Sequence, residues 1–258
     1  MKSTYRLLLL FGIDPIKFYF TIKGLKKYFK DFSLLKSEIN NNSLFTIRGN
    51  YPILNEWNDQ AGDARGHYFH QDLFVSQLIY RANPENHIDI GSRIDGFVAH
   101  VASFRNIKIL DIRDVQINHK NITFMKADLM NIQSTLVNSV DSISCLHALE
   151  HFGLGRYGDR IDFYGYLKGF ENITCILKKG GIFYFSVPIG PQRIEFNAHR
   201  IFSIKYLIDL VSNYYIIKSF SYVDDNDKFS PNALLSEENI NKNFGCNYGC
   251  GIFELLKK

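Results

Sequence analysis

The sequence is poor in the features that would narrow its function at once. Its 258 residues hold four cysteines, Cys145, Cys175, Cys246 and Cys250, and none of the paired Cys-x-x-Cys knuckles of a structural zinc site. The first two sit in apolar segments. All four read as reduced thiols of a cytosolic protein, with a Cys246–Cys250 disulfide as the alternative. No apolar run reaches membrane-spanning length. Residues 7–13 are apolar but interrupted by Gly12, closely followed by Pro15, and they lack a small-residue cleavage site, so no signal peptide is expected. One-sided charge is missing too: a net +4 does not by itself call for a nucleic-acid partner. Aromatic residues are plentiful, with 22 Phe and 15 Tyr against a single Trp, and the length suits one large domain or a domain with an extension.

The densest information lies in residues 87–97, His-Ile-Asp-Ile-Gly-Ser-Arg-Ile-Asp-Gly-Phe. An apolar strand ends near Asp89, turns through Gly91 to Gly96, and enters a helix with apolar Phe97, Val98, Val101 and Phe104. A second strand, 107–110, ends in Asp111. In a βαβ unit this first loop is where nucleoside-bearing ligands bind. A dinucleotide site needs Gly-x-Gly-x-x-Gly, but the middle glycine is absent and Asp95 would repel a phosphate. A P-loop needs Lys and Ser/Thr where Phe97 and Val98 stand. A ligand with ribose and adenine but no phosphate remains, and S-adenosylmethionine (SAM) fits: Asp89 suits its ammonium and Asp111 its ribose diol. A tight turn without a ligand is the bland alternative.

Residues 1–60 differ from the rest. Lys17, Lys23, Lys26, Lys27, Lys30 and Lys36 alternate with Phe18, Phe20, Ile22, Leu25, Tyr28, Phe29 and Phe32. This reads as a helix with a lysine-rich solvated face, or as an amphipathic segment resting on an anionic membrane. Asn40–Ser43 is a polar break, and 45–54 looks extended. From 61 onward the pattern alternates. A helix is predicted over 67–81, and strands over 122–125 and 140–146. A further helix over 161–177 is closed by Lys178–Gly181, and a strand over 182–187 stops at Pro188. Ser203 caps a helix through 211, and strands follow over 214–223 and 248–256, separated by a polar loop. Alternating strands and helices imply a parallel sheet, and the last two strands an antiparallel pair.

Seven strands in this order, with an acid after each of the first two, resemble the Rossmann-like fold of class I SAM-dependent methyltransferases. Lys126–Leu129 resembles the loop whose acid bonds the adenine amine. Ser144–His151 resembles the His-x-Leu-Glu-His segment after the fourth strand, and Asn197–Ser203 the His-Arg segment after the fifth. The strings GSRIDGFVAHV, LHALEHFGLGRYGD and FNAHRIF resemble a bacterial family of unknown function within that superfamily, whose members accompany surface-polysaccharide genes; that implies a sugar acceptor. The resemblance covers about residues 65–258. It implies SAM as cofactor, held by Asp89, Gly91, Arg93, Asp111, Ile112, Asp128 and Leu129. The usual motif has glycines where Arg93 and Asp95 stand. Arg93 clasps the cofactor carboxylate, clashes with it, or is held by Asp89 or Asp95 as a structural pair.

Methyl transfer to a hydroxyl often needs a base. His147 and His199 follow the fourth and fifth strands and are the candidate proton acceptors, His147 favoured, whereas His67, His70 and His151 read as ordinary hydrogen-bonded histidines. Glu150, Arg156, Tyr157, Arg200 and Asp224 are candidate substrate contacts; Asp159 and Asp225 lie beside them. No metal ion is expected, because His147, Glu150, His151 and His199 lack the spacing of a His-Glu-x-x-His zinc helix. The expected partner is a small molecule or sugar. The function read from the sequence is a cytoplasmic O-methyltransferase, with peripheral membrane contact as a further option. The contrasting readings are a non-catalytic methyltransferase-like module in a glycan assembly complex and a nucleotide-dependent sugar enzyme.

Overall fold

The apolar runs at the heart of the pattern lie side by side in the computed structural model, which describes residues 2–39, 44–131 and 136–258. Strand β1 (His87–Ile90) is buried at every position, as a central parallel strand with both faces covered must be. It pairs in parallel with β2 (Ile107–Asp111) on one side and β4 (Val140–Leu146) on the other; β3 (Ile122–Lys126) lies outside β2 and β5 (Leu177–Ile189) beyond β4. The last strand, β10 (Gly249–Lys257), enters antiparallel between β5 and β8 (Tyr215–Val223). A short β9 (Phe229–Ser230) completes the edge, giving the order β3-β2-β1-β4-β5-β10-β8-β9. The sheet therefore has eight strands where seven are predicted. A separate hairpin, β6 (Arg193–Glu195) and β7 (His199–Ile201), projects after β5. Two-residue β9 and these three-residue strands are too short to carry an apolar alternation.

Both faces of the sheet are covered. On one, helix α3 (Gly66–Ala82), the turn at Phe97 and short α4 (Ala99–Ala102) pack Val75, Ile79, Phe97 and Val101 against Ile107 and Ile109. On the other, α5 (Gly165–Ile176) and α6 (Ile204–Ser212) pack Phe170, Ile173 and Leu207 against Phe183, Phe185 and Phe253. Ser203 caps α6, its hydroxyl accepting from the Tyr206 amide at 3.3 Å, as the sequence suggests. Two expectations fail locally. The helix after the first loop is a single wide turn, Ile94–Val98, followed by α4. Lys178–Gly181 do not close α5: fully buried Leu177 already begins β5, and they continue that strand.

The chain divides into two compact units, Met1–Asp63 and Ala64–Lys258. In the first, α1 (Lys2–Leu10) precedes α2 (Pro15–Glu38), which is capped by Asp14 and opened by Pro15. The segment around Leu54 lies against α2 so closely that a Cβ on Gly24 would fall 1.7 Å from the Leu54 carbonyl oxygen. Residues 45–54 form no strand, and the polar break at 40–43 lies outside the described residues.

Candidate functional site

A cavity opens at the carboxyl ends of β1, β2 and β4, where ligands bind in open α/β sheets. It holds about 530 Å³ counting its open mouth. Gly91, Asp111, Ile112, Asp128, Leu129, His147 and Tyr157, seven of the predicted site residues, form its wall together with His151 and Asp159. Gly91 has φ +72 and lies so near Ala148 that a Cβ would fall 2.9 Å from that methyl group, so glycine is needed there for both reasons.

The wall is acidic. Asp111 and Asp128 stand at the ends of β2 and β3, and the Asp159 carboxylate accepts from the Gly153, Gly155 and Tyr157 amides to shape the loop over the cavity. Arg113 is the cation beside them, and it is engaged: its guanidinium grips Asp111 at 3.0 and 2.6 Å and lies 4.3 Å above the Tyr157 ring. Asp128 accepts from the Met130 amide and from Asn131 Nδ2.

Other predicted residues lie elsewhere. Asp89 is fully buried beneath the loop and accepts from the Ser92 amide, the Ser92 hydroxyl and the Ser144 hydroxyl. Burial raises it to about 6, against the lowering pull of those bonds. Arg93 pairs with Asp95 at 2.7 Å on the surface, the structural-pair alternative, and is not in the cavity wall. Arg200 is buried and staples the chain: it donates to the Phe152 and Phe163 carbonyls and lies against Tyr166. Arg156 donates to the Ala198 carbonyl. Asp224 closes its own turn through the Asn226 and Lys228 amides, whereas Asp225 binds the Asn247 and Tyr248 amides. His70 stacks on Phe229.

Next to the cavity the histidines gather around one carboxylate. Glu150, expected as a substrate contact, is 1% exposed and faces His147 and His151 as their buried counter-charge. His147, in the left-handed region at φ +51, places Nδ1 2.8 Å from Glu150 Oε1, while its Nε2 is sealed from solvent without a partner. Burial disfavours its charge, and Cys250 and Glu150 more than offset this, raising His147 to about 10. Burial and the charge of His147 lower its neighbour His67 to about 4; the two rings stack 5.3 Å apart. His199 Nε2 is likewise sealed, 3.4 Å from Glu195. Thus both predicted proton acceptors hold Nε2 away from solvent. His151 differs. Its Nδ1–H donates to the Ala198 carbonyl at 2.7 Å, a bond that fixes the tautomer and leaves Nε2 as the basic nitrogen, 3.7 Å from Glu150 Oε1, of a ring in the cavity wall. The sequence reading gives His151 only as an ordinary histidine and Cys250 only as a reduced thiol, and does not single out Arg113. Arg113 had a weak signal, lying two residues after the acid of β2. All four cysteines are free, so the Cys246–Cys250 disulfide does not form.

A family described as "Caenorhabditis protein of unknown function, DUF268" matches residues 98–244. No curated protein matches the sequence. Among solved structures the chain is similar to Burkholderia thailandensis 1,6-didemethyltoxoflavin-N1-methyltransferase, bound to 1,6-didemethyltoxoflavin and S-adenosylhomocysteine; identity is 14%, coverage 73% of this chain and 78% of that one, and the TM-score 0.52. It is also similar to the [4+2]-cyclase SpnF, at 13% identity, 76% and 85% coverage and a TM-score of 0.53. At these identities the likeness is one of fold, the Rossmann-like α/β fold of methyltransferases. One of the two is titled a methyltransferase and the other a cyclase, so the fold alone does not choose the chemistry.

Proposed function

Because the chain belongs to the DUF268 family, whose description assigns no chemistry, we propose its function from the cavity: SAM-dependent methyl transfer to a small hydroxylated acceptor, a sugar of a surface polysaccharide. The observation that carries the reading is that Asp111 and Asp128 stand together on the wall of one cavity at the carboxyl ends of the strands. The residues present suit SAM. Asp111 would hold the ribose diol and Asp128 the adenine amine, with Ile112 and Leu129 against the base. Gly91 lets the backbone approach closely, and the acidic wall suits a sulfonium and an ammonium. SAM, when bound, supplies an electrophilic methyl group.

The rest of the work falls to this chain's own side chains. Asp111 and Tyr157 hold Arg113 across the cavity, and a ribose bound by Asp111 shares that carboxylate with the guanidinium. The loop shaped by Asp159 shields the cavity from water. His151 receives the acceptor's hydroxyl proton at Nε2 while Nδ1–H stays on the Ala198 carbonyl. This moves the role expected of His147 or His199 to their neighbour. Transfer of a labelled methyl group from SAM to nucleotide-activated sugars tests the reading. His151→Gln should lower turnover by about 10²–10⁴-fold with SAM affinity retained, and full activity in that variant contradicts the assignment.

The specific observation favouring a non-catalytic module is the Arg113 grip on Asp111. That reading requires that SAM fail to displace it. The basic N-terminal unit also supports peripheral membrane contact: α2 carries six lysines against Asp31 and Glu38, interleaved with exposed Phe18, Ile22, Leu25 and Phe29. No helix among the described residues is long and apolar enough to cross a membrane.

A further inference from the structure

Three elements distant in sequence converge behind the cavity wall. His67 lies in the first turn of α3, His147 follows β4, and Cys250 lies near the start of β10. One ligand atom from each, an imidazole nitrogen, another imidazole nitrogen and a sulfur, lie within 4.8 Å of one another. A tetrahedral zinc ion with bonds of about 2.0–2.3 Å sets its ligand atoms roughly 3.5 Å apart, so the widest pair closes by up to about 1.3 Å to complete the set. This is a different set from the one the sequence spacing argues against.

The surroundings of this triad are incomplete without a cation. Four buried side-chain atoms lack a hydrogen-bond partner among the described residues, and two of them, His147 Nε2 and Glu150 Oε2, lie at this triad; a third, His199 Nε2, faces Glu195 at 3.4 Å instead. Orphaned buried polar atoms call for an explanation, an ion among them. His147 is arranged as metal-bound histidines are: Glu150 binds Nδ1 at 2.8 Å and leaves Nε2 aimed away from it. The charges balance as well. A divalent cation offsets one thiolate and the buried Glu150 carboxylate, and two imidazoles with a thiolate suit a borderline-soft metal, not magnesium or calcium.

We propose that His67, His147 and Cys250 form a three-ligand zinc site whose fourth position is open. Zinc binding forms two Zn–N bonds and one Zn–S bond. It releases the Cys250 thiol proton, and the His147 Nε2 proton where present, to solvent. The site shares His147 with the cavity wall, but its metal chemistry does not depend on what the cavity holds.

The test uses the full-length protein, stripped with a chelator and titrated with Zn²⁺ and, as a spectroscopic probe, Co²⁺. One equivalent of each should bind. Bound Co²⁺ should show the visible bands of a tetrahedral site and a near-ultraviolet thiolate-to-cobalt band. Cys250→Ser should abolish the thiolate band and His67→Ala should weaken binding, while Cys175→Ser, at an exposed thiol outside the triad, leaves both unchanged. Glu150→Gln should weaken zinc binding about 10–100-fold. Circular dichroism of each variant separates lost ligation from lost folding, and His67→Ala, at the least buried of the three ligands, keeps the test open if Cys250→Ser does not fold. Absence of stoichiometric metal in the wild type overturns the site, as does a thiolate band that persists in folded Cys250→Ser.

Discussion

Asp89 ends β1 with its oxygens taken by Ser92 and Ser144, and burial raises it to about 6. The folded state therefore keeps this proton to a higher pH than the unfolded chain, which releases it near 3.8. Its contribution to stability is fully present below about pH 4 and is lost as the pH rises through about 6, a change of about 3 kcal/mol. Denaturant unfolding from pH 4 to pH 7 should show this decline in the wild type and a flatter profile in Asp89→Asn. Equal slopes in the two proteins contradict it. The sequence places an acid at the tip of β1 but does not show which way it faces. Asp89 and Glu150 are both hidden by burial, whereas Asp111 and Asp128, in the same kind of position, reach the cavity. The environment of His151 is hidden for a related reason: the bond that fixes its ring comes from Ala198, beyond β5 and far from it in sequence.

The periodic elements were legible because their apolar residues recur with the right spacing: α3, β1, β2, β4 and the capped α6 lie where the pattern puts them. Elements of two or three residues, β6, β7 and β9, have too few positions for any period. Lys178–Gly181 carry a helix-stop composition and form the irregular start of β5, between the paired Leu177 and Ile182, with Gly180 in the left-handed region at φ +76. The placement of β10 is itself a core feature, since Phe253 packs 4.7 Å from the Phe220 ring and 6.1 Å from Phe185. Phe253→Ala should cost about 3–5 kcal/mol in denaturant unfolding, and a cost below about 1 kcal/mol would mean the strand contributes little. For α2, sedimentation with vesicles separates the solvated face from the membrane face. Binding to anionic vesicles that declines with salt and is lost in the Lys26→Glu/Lys27→Glu/Lys30→Glu variant supports lipid contact; equal binding to neutral vesicles, or none, contradicts it.

Across the whole molecule, the two units differ in how much of their character the sequence carries. The Ala64–Lys258 unit owes its fold to alternating strands and helices, and these lead to a cavity at the expected end of the sheet. The histidine–cysteine cluster beside it is assembled by α3, the end of β4 and the start of β10, and no local spacing announces it. What the cavity binds decides between an enzyme and a module. Calorimetric titration of the full-length protein with SAM and S-adenosylhomocysteine, repeated with Asp111→Ala, measures this directly. The account expects both ligands to bind the wild type and the variant to lose about 2 kcal/mol, roughly thirtyfold in affinity, as the charge-assisted bonds to the ribose diol disappear. No binding to the wild type at millimolar ligand, or unchanged affinity in a folded Asp111→Ala protein, would contradict it.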